Sequence, residues 1–62
     1  MKFKEVIRIL EKEGWVLKRT RGSHRQFRHP SKPGTVTVDG RLSVEIPPGT
    51  LKSISKQSGI EL

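Results

Sequence analysis

Cysteine is absent from the 62 residues, so neither a disulfide nor a thiolate metal site can hold so short a chain together. Aromatic side chains are scarce: Phe3, Trp15 and Phe27 are the only three, and tyrosine is missing altogether. A small core needs all of them, which leaves none to stack bases as most single-strand readers do. No apolar run approaches the length of about 18 residues that a membrane span requires, and Met1 to Leu10 has no signal-peptide pattern. The expectation is a soluble cytoplasmic protein with no membrane association and no small-molecule cofactor.

The most informative deficit is acid. Between Gly14 and Val38 there is no Asp or Glu, while six basic side chains fall there: Lys18, Arg19, Arg21, Arg25, Arg28 and Lys32. With a formal net charge of +7, the expected partner is a polyanion, chiefly nucleic acid, and the bland alternative is a solvated basic surface. Two-metal nuclease chemistry needs clustered carboxylates, which this region lacks. Both histidines, His24 and His29, lie inside the basic stretch. A histidine whose pKa stays near the ordinary value of about 6.5 can give or take a proton near neutral pH.

The length permits one domain, residues 1–62, in which only about 60% of the unfolded chain's surface is buried on folding. Phe3, Val6, Ile7 and Leu10 recur at helical spacing, which predicts an amphipathic helix from about Lys2 to Glu13. Gly14 suits the left-handed residue that ends it, with Trp15 folding back onto Leu10. Trp15 to Thr20 and His24 to His29 read as two strands joined by a three-residue loop, Arg21-Gly22-Ser23. That loop sets Thr20 opposite His24 and Leu17 opposite Phe27. Alternation then places Trp15, Leu17, Phe27 and His29 on one face, and Lys18, Thr20, His24, Gln26 and Arg28 on the other.

Pro30 to Gly34 is a loop, and Thr35 to Val38 a third strand that ends at the Asp39-Gly40 turn signal. Leu42, Val44 and Ile46 alternate with polar residues, which fits a fourth strand or an extended link equally well. Pro47-Pro48-Gly49-Thr50 introduces a last helix that buries Leu51 and Ile54 and ends near Gly59. The fold class is therefore α+β, in the order α-β-β-β-α, with a three-stranded antiparallel sheet. Only the helices can cover its apolar face, so both pack on one side and leave the other open. The shape expected is like that of a double-stranded-RNA-binding domain.

Gly22-Ser23-His24 after a basic strand, Phe27-Arg28-His29-Pro30, and Gly49-Thr50-Leu51-Lys52-Ser53-Ile54 followed by Lys56-Gln57-Ser58-Gly59-Ile60 together resemble the HicA-type (YcfA-like) mRNA interferase toxins, from Phe3 to Ile60. The resemblance implies a ribonuclease of a toxin-antitoxin system that cleaves mRNA and is neutralised by a HicB-type antitoxin. Its catalytic histidine corresponds to His24. Nothing functional is carried onto Asp39 to Pro48, and Arg25 receives no family role.

RNA supplies its own nucleophile, the 2′-hydroxyl, so a proton carrier and positive charge suffice and no metal is called for. In this reading His24 is the acid/base, Lys18, Arg19, Arg21 and Arg28 hold the RNA backbone, and Gly22 and Ser23 assist from the loop. Lys52 and Lys56 either extend the RNA surface or are ordinary solvated lysines. His29, next to Pro30, reads as a partly buried structural residue. A His24-His29 metal pair is disfavoured because an odd separation points the rings to opposite faces of a strand. The alternatives in other classes are a non-catalytic RNA-binding module and, less favoured without an Arg- and Asn-rich reading helix, a DNA-binding protein.

Overall fold

A computed structural model describes residues 1–62. Helix α1 (Phe3–Lys12) is followed by strands β1 (Val16–Arg21), β2 (His24–Arg28) and β3 (Val36–Asp39), and the chain closes with helix α2 (Pro48–Ser58). The sheet is antiparallel in the order β1-β2-β3. Phe3, Val6 and Leu10 of α1, Phe27 of β2, Val36 and Val38 of β3, and Ile54 of α2 join Trp15 and Ile46 in one buried cluster. Both helices thus cover the same face of the sheet, and the other face is left open. The arrangement is compatible with the double-stranded-RNA-binding shape.

The end of α1 follows from its residues. Glu13 is the C-cap and Gly14 adopts φ 96°, a conformation that costs glycine little. Trp15 N–H donates to the Leu10 carbonyl at 2.9 Å and Gly14 N–H to that of Glu11 at 3.1 Å, the paired bonds of a Schellman ending. Trp15 and Leu10 then meet in the core, as their spacing predicts. A Cβ on Gly14 would also lie 2.8 Å from His29 Nε2, so both the dihedral and the space require glycine here.

Residues Arg41 to Ile46 form a link and not a fourth strand. It makes only an isolated bridge between Lys2 and Glu45. Its carbonyls instead complete the start of α1: Leu42 accepts from Lys4 N–H at 3.0 Å and Val44 from Phe3 N–H at 3.1 Å. Two of the N–H groups that a helix start leaves without partners are satisfied in this way. The alternation of Leu42, Val44 and Ile46 misleads, since only Ile46 is buried. The Met1 amino group donates to Glu45 at 2.8 Å, and this hydrogen bond raises the amino pKa and lowers that of Glu45.

The first hairpin corrects two expectations. Its loop is two residues, Gly22-Ser23, and Arg21 rather than Thr20 stands opposite His24. Gly22 has φ 59° and Ser23 does not share the positive φ, the pattern of a II′ loop with glycine first, whose twist matches that of the strands. The shorter loop shifts the register by one, and a bulge at Lys18 shifts it back, so Leu17 still pairs with Phe27. Thr20 is thereby moved opposite Arg25, off the row of His24. Leu17 is not a core residue either: it is 43% exposed, because β1 is the edge strand beyond the cover of the helices.

Gly40 lies against the Phe3 ring, and a Cβ there would overlap the ring edge. Gly40→Ala is expected to lower stability by about 1–3 kcal/mol through overpacking. The check is a urea midpoint that falls while the slope of the transition is retained.

Candidate active site

Cross-strand pairing lines up three rows on the open face. Arg21, His24 and Asp39 form the first, and Arg19, Gln26 and Thr37 the second. The third holds Val16 and Arg28, and Arg28 Nη1 reaches the Thr35 hydroxyl at 3.4 Å. The bulge at Lys18 produces this arrangement. It reverses the alternation of β1 beyond Leu17, so that Arg19 and Arg21, not Lys18 and Thr20, share the face of His24.

His24 opens β2 immediately after the tight loop, and its side chain is 46% exposed. Its Nδ1 stands 3.4 Å from Asp39 Oδ2. The other carboxylate oxygen accepts a hydrogen bond from Ser23 Oγ at 3.1 Å. Behind this group, Arg25 donates from Nη1 to the carbonyls of Ser23 at 3.2 Å and Gly40 at 3.0 Å. Gly40 N–H also donates to the Ser23 carbonyl at 3.2 Å. The hairpin loop and the end of β3 are thus tied together, with the arginine acting from the covered side of the sheet.

Beside His24 is an open recess of about 340 Å³ lined by Arg19, Thr20, Arg21, His24 and Gln26. Two guanidinium groups and an imidazole around a shallow basin suit a phosphate diester with its ribose. Farther along the hairpin, Lys18 and Arg28 line a second recess of about 240 Å³ with Val16, His29 and Pro30. The residues expected to act together therefore divide. Arg19 and Arg21 join His24, Ser23 reaches the site through Asp39, and Lys18 and Arg28 lie one recess away. Gly22 shapes the loop, and a Cβ there would meet nothing, so its surroundings leave room for a ligand. Lys52 and Lys56 are exposed on α2, in the layer that covers the opposite face.

His29 has a different role. Its Nδ1 accepts from Ser31 N–H at 3.1 Å, which leaves Nε2 to donate to the Glu13 carbonyl at 3.0 Å. Its ring also meets Trp15 edge-on, with the centroids 5.3 Å apart. Both nitrogens are occupied, Nε2 in fastening the end of β2 to the end of α1 and Nδ1 in holding the loop at Ser31.

Asp39 was not legible as a site residue. It is the only acid between Glu13 and Glu45, which is the one signal that could have drawn attention to it. Its placement beside His24 depends on the β2-β3 register, and the seven residues 29–35 between those strands do not set a register as a tight hairpin loop does. Gln26 falls on the open face by alternation, but only the recess gives it a neighbour to act with.

The family model described as HicA toxin of bacterial toxin-antitoxin matches residues 3–60. Among curated proteins, none matches the chain.

The two histidines should respond oppositely to truncation. His29→Ala removes the bonds to Glu13 and Ser31 and the edge contact with Trp15 and is expected to cost about 1–2 kcal/mol, whereas the exposed His24→Ala should change stability by no more than about 0.5 kcal/mol. Thermal midpoints of the two variants, measured side by side, test the contrast.

Proposed function

The chain belongs to the HicA toxin family of bacterial toxin-antitoxin systems, and on that premise we propose that it is a metal-independent mRNA endoribonuclease whose acid/base is His24. The observation that carries the reading is the position of an exposed imidazole on the rim of a basin flanked by Arg19 and Arg21. The second recess also sets a histidine beside two cations, Lys18 and Arg28, but both ring nitrogens of His29 are already engaged, with the Glu13 carbonyl and Ser31 N–H.

The chemistry needs little more. A ribose 2′-hydroxyl attacks the adjacent phosphorus while its proton passes to His24. The P–O5′ bond breaks, the leaving oxygen takes up a proton from solvent, and the products are a 2′,3′-cyclic phosphate and a 5′-hydroxyl. A general base typically contributes about 10² to 10⁴ in rate. Arg19 and Arg21 stabilise the charge that builds on the phosphorane oxygens, the electrostatic part of the catalysis. Lys18 and Arg28 extend the track for the RNA backbone, and Gly22 and Ser23 keep the loop low beside it. Lys52 and Lys56 bind RNA only where it wraps past the sheet edge.

No group of three His, Asp or Glu side chains converges as a metal site would require. The reading assigns the charge stabilisation to the guanidinium groups of Arg19 and Arg21, which line the basin. No helix is long and apolar enough to cross a membrane. A HicB-type antitoxin that covers the basin would silence the enzyme by excluding its substrate.

Incubation of the pure protein with RNA and with DNA of the same sequence tests the proposal. Cleavage of RNA alone, unchanged in chelator and abolished by His24→Ala, is the expected result. Cleavage retained by His24→Ala would remove the histidine from the mechanism, and binding without cleavage would leave an RNA-binding module. Single-stranded RNA affinity should fall with a log-log salt slope of about −0.7 per phosphate contact, or near −3 for about four contacts.

A further inference from the structure

We propose that Asp39 is a positioning residue for this site: its carboxylate holds the His24 imidazole in the tautomer that carries its proton on Nδ1 and leaves Nε2 as the acceptor. The inference rests on the reading of His24 as the base. A neutral imidazole has one donor and one acceptor nitrogen, and which is which follows from what each faces. His24 Nδ1 stands 3.4 Å from Asp39 Oδ2, an ion-pair contact longer than a full hydrogen bond. An ionised carboxylate can only accept, so the nitrogen turned toward it is the one that bears hydrogen. Nε2, on the far side of the ring, is then free to take the proton of a 2′-hydroxyl.

The carboxylate is itself held in place. Ser23 Oγ donates to its Oδ1 at 3.1 Å, so each oxygen of Asp39 has a separate task. The backbone that follows is pinned by Arg25 through the Gly40 carbonyl. A negative charge on a face that must receive phosphate opposes binding, and Asp39 is the only acid between Glu13 and Glu45. Its contribution therefore lies in the state of the ring and not in affinity. As His24 becomes an imidazolium in the reaction, the adjacent carboxylate also stabilises the charge that forms, in the manner general to carboxylate-histidine pairs.

Asp39→Asn separates this role from that of a turn cap. The amide is nearly isosteric, and its oxygen can still accept from Ser23. Its NH2 then faces His24 Nδ1 and donates to it, which moves the ring proton to Nε2 and removes the base from the basin. The expected result is a fall in kcat of about 10²-fold, toward the lower end of what a general base contributes, with no rise in KM. The ¹⁵N shifts of neutral His24 should change from the Nδ1–H to the Nε2–H pattern, and Asp39→Glu should recover part of the rate and the original pattern. Unchanged kcat, or a loss of kcat with unaltered ¹⁵N shifts, would overturn the positioning role. The ¹⁵N measurement needs no RNA. If His24→Ala still cleaves RNA, the functional reading fails while the tautomer result continues to report on Asp39 alone.

Discussion

The chain holds enough apolar side chains to cover one face of a three-stranded sheet and no more. Nine buried hydrophobic residues make up the whole core, drawn from both helices, two strands and the segments between them. Burial of that single set brings α1 and α2 to the same side of the sheet and leaves the opposite side to water. Every functional feature follows from this one-sided cover. Arg19 and Arg21 of β1 and Arg28 of β2 lie on that open face, and the imidazole of His24 among them remains exposed.

A small core also makes the junctions matter. The Schellman ending of α1, the link that completes the start of the same helix, and His29 bridging β2 to Glu13 are all hydrogen-bonded arrangements at the margins of the core. They fasten elements whose hydrophobic contact is limited. Arg25 belongs with them: from the covered side it clamps the loop of the hairpin to the end of β3, and so fixes the distance between Ser23, His24 and Asp39. The candidate site is braced in this way by an arginine on the covered face of the sheet.

Two local irregularities then decide which cations meet the histidine. A two-residue loop and a bulge at Lys18 cancel in the register at Leu17, but between them the alternation of β1 is reversed. Arg19 and Arg21 come onto the face of His24, and Lys18 does not follow them. A bulge on an edge strand also breaks the flat, regular ladder that invites pairing with another chain. The same irregularity that arranges the basin thus protects the exposed edge.

The sequence by itself determined the order of the elements, the ends of α1 and α2, the one-sided burial and the exposure of His24. These rest on periodicity and on glycine chemistry, which act over a few residues and are written along the chain. Leu17 passed for a core residue because alternation reports which face a side chain takes, not whether anything covers that face. Only the tertiary structure decided that Arg41 to Ile46 is a link, that β1 carries a bulge, and that Asp39 stands beside His24. Each of these depends on the register or docking of segments separated by loops, where the deciding free energy lies in contacts between distant residues and leaves no local pattern to read.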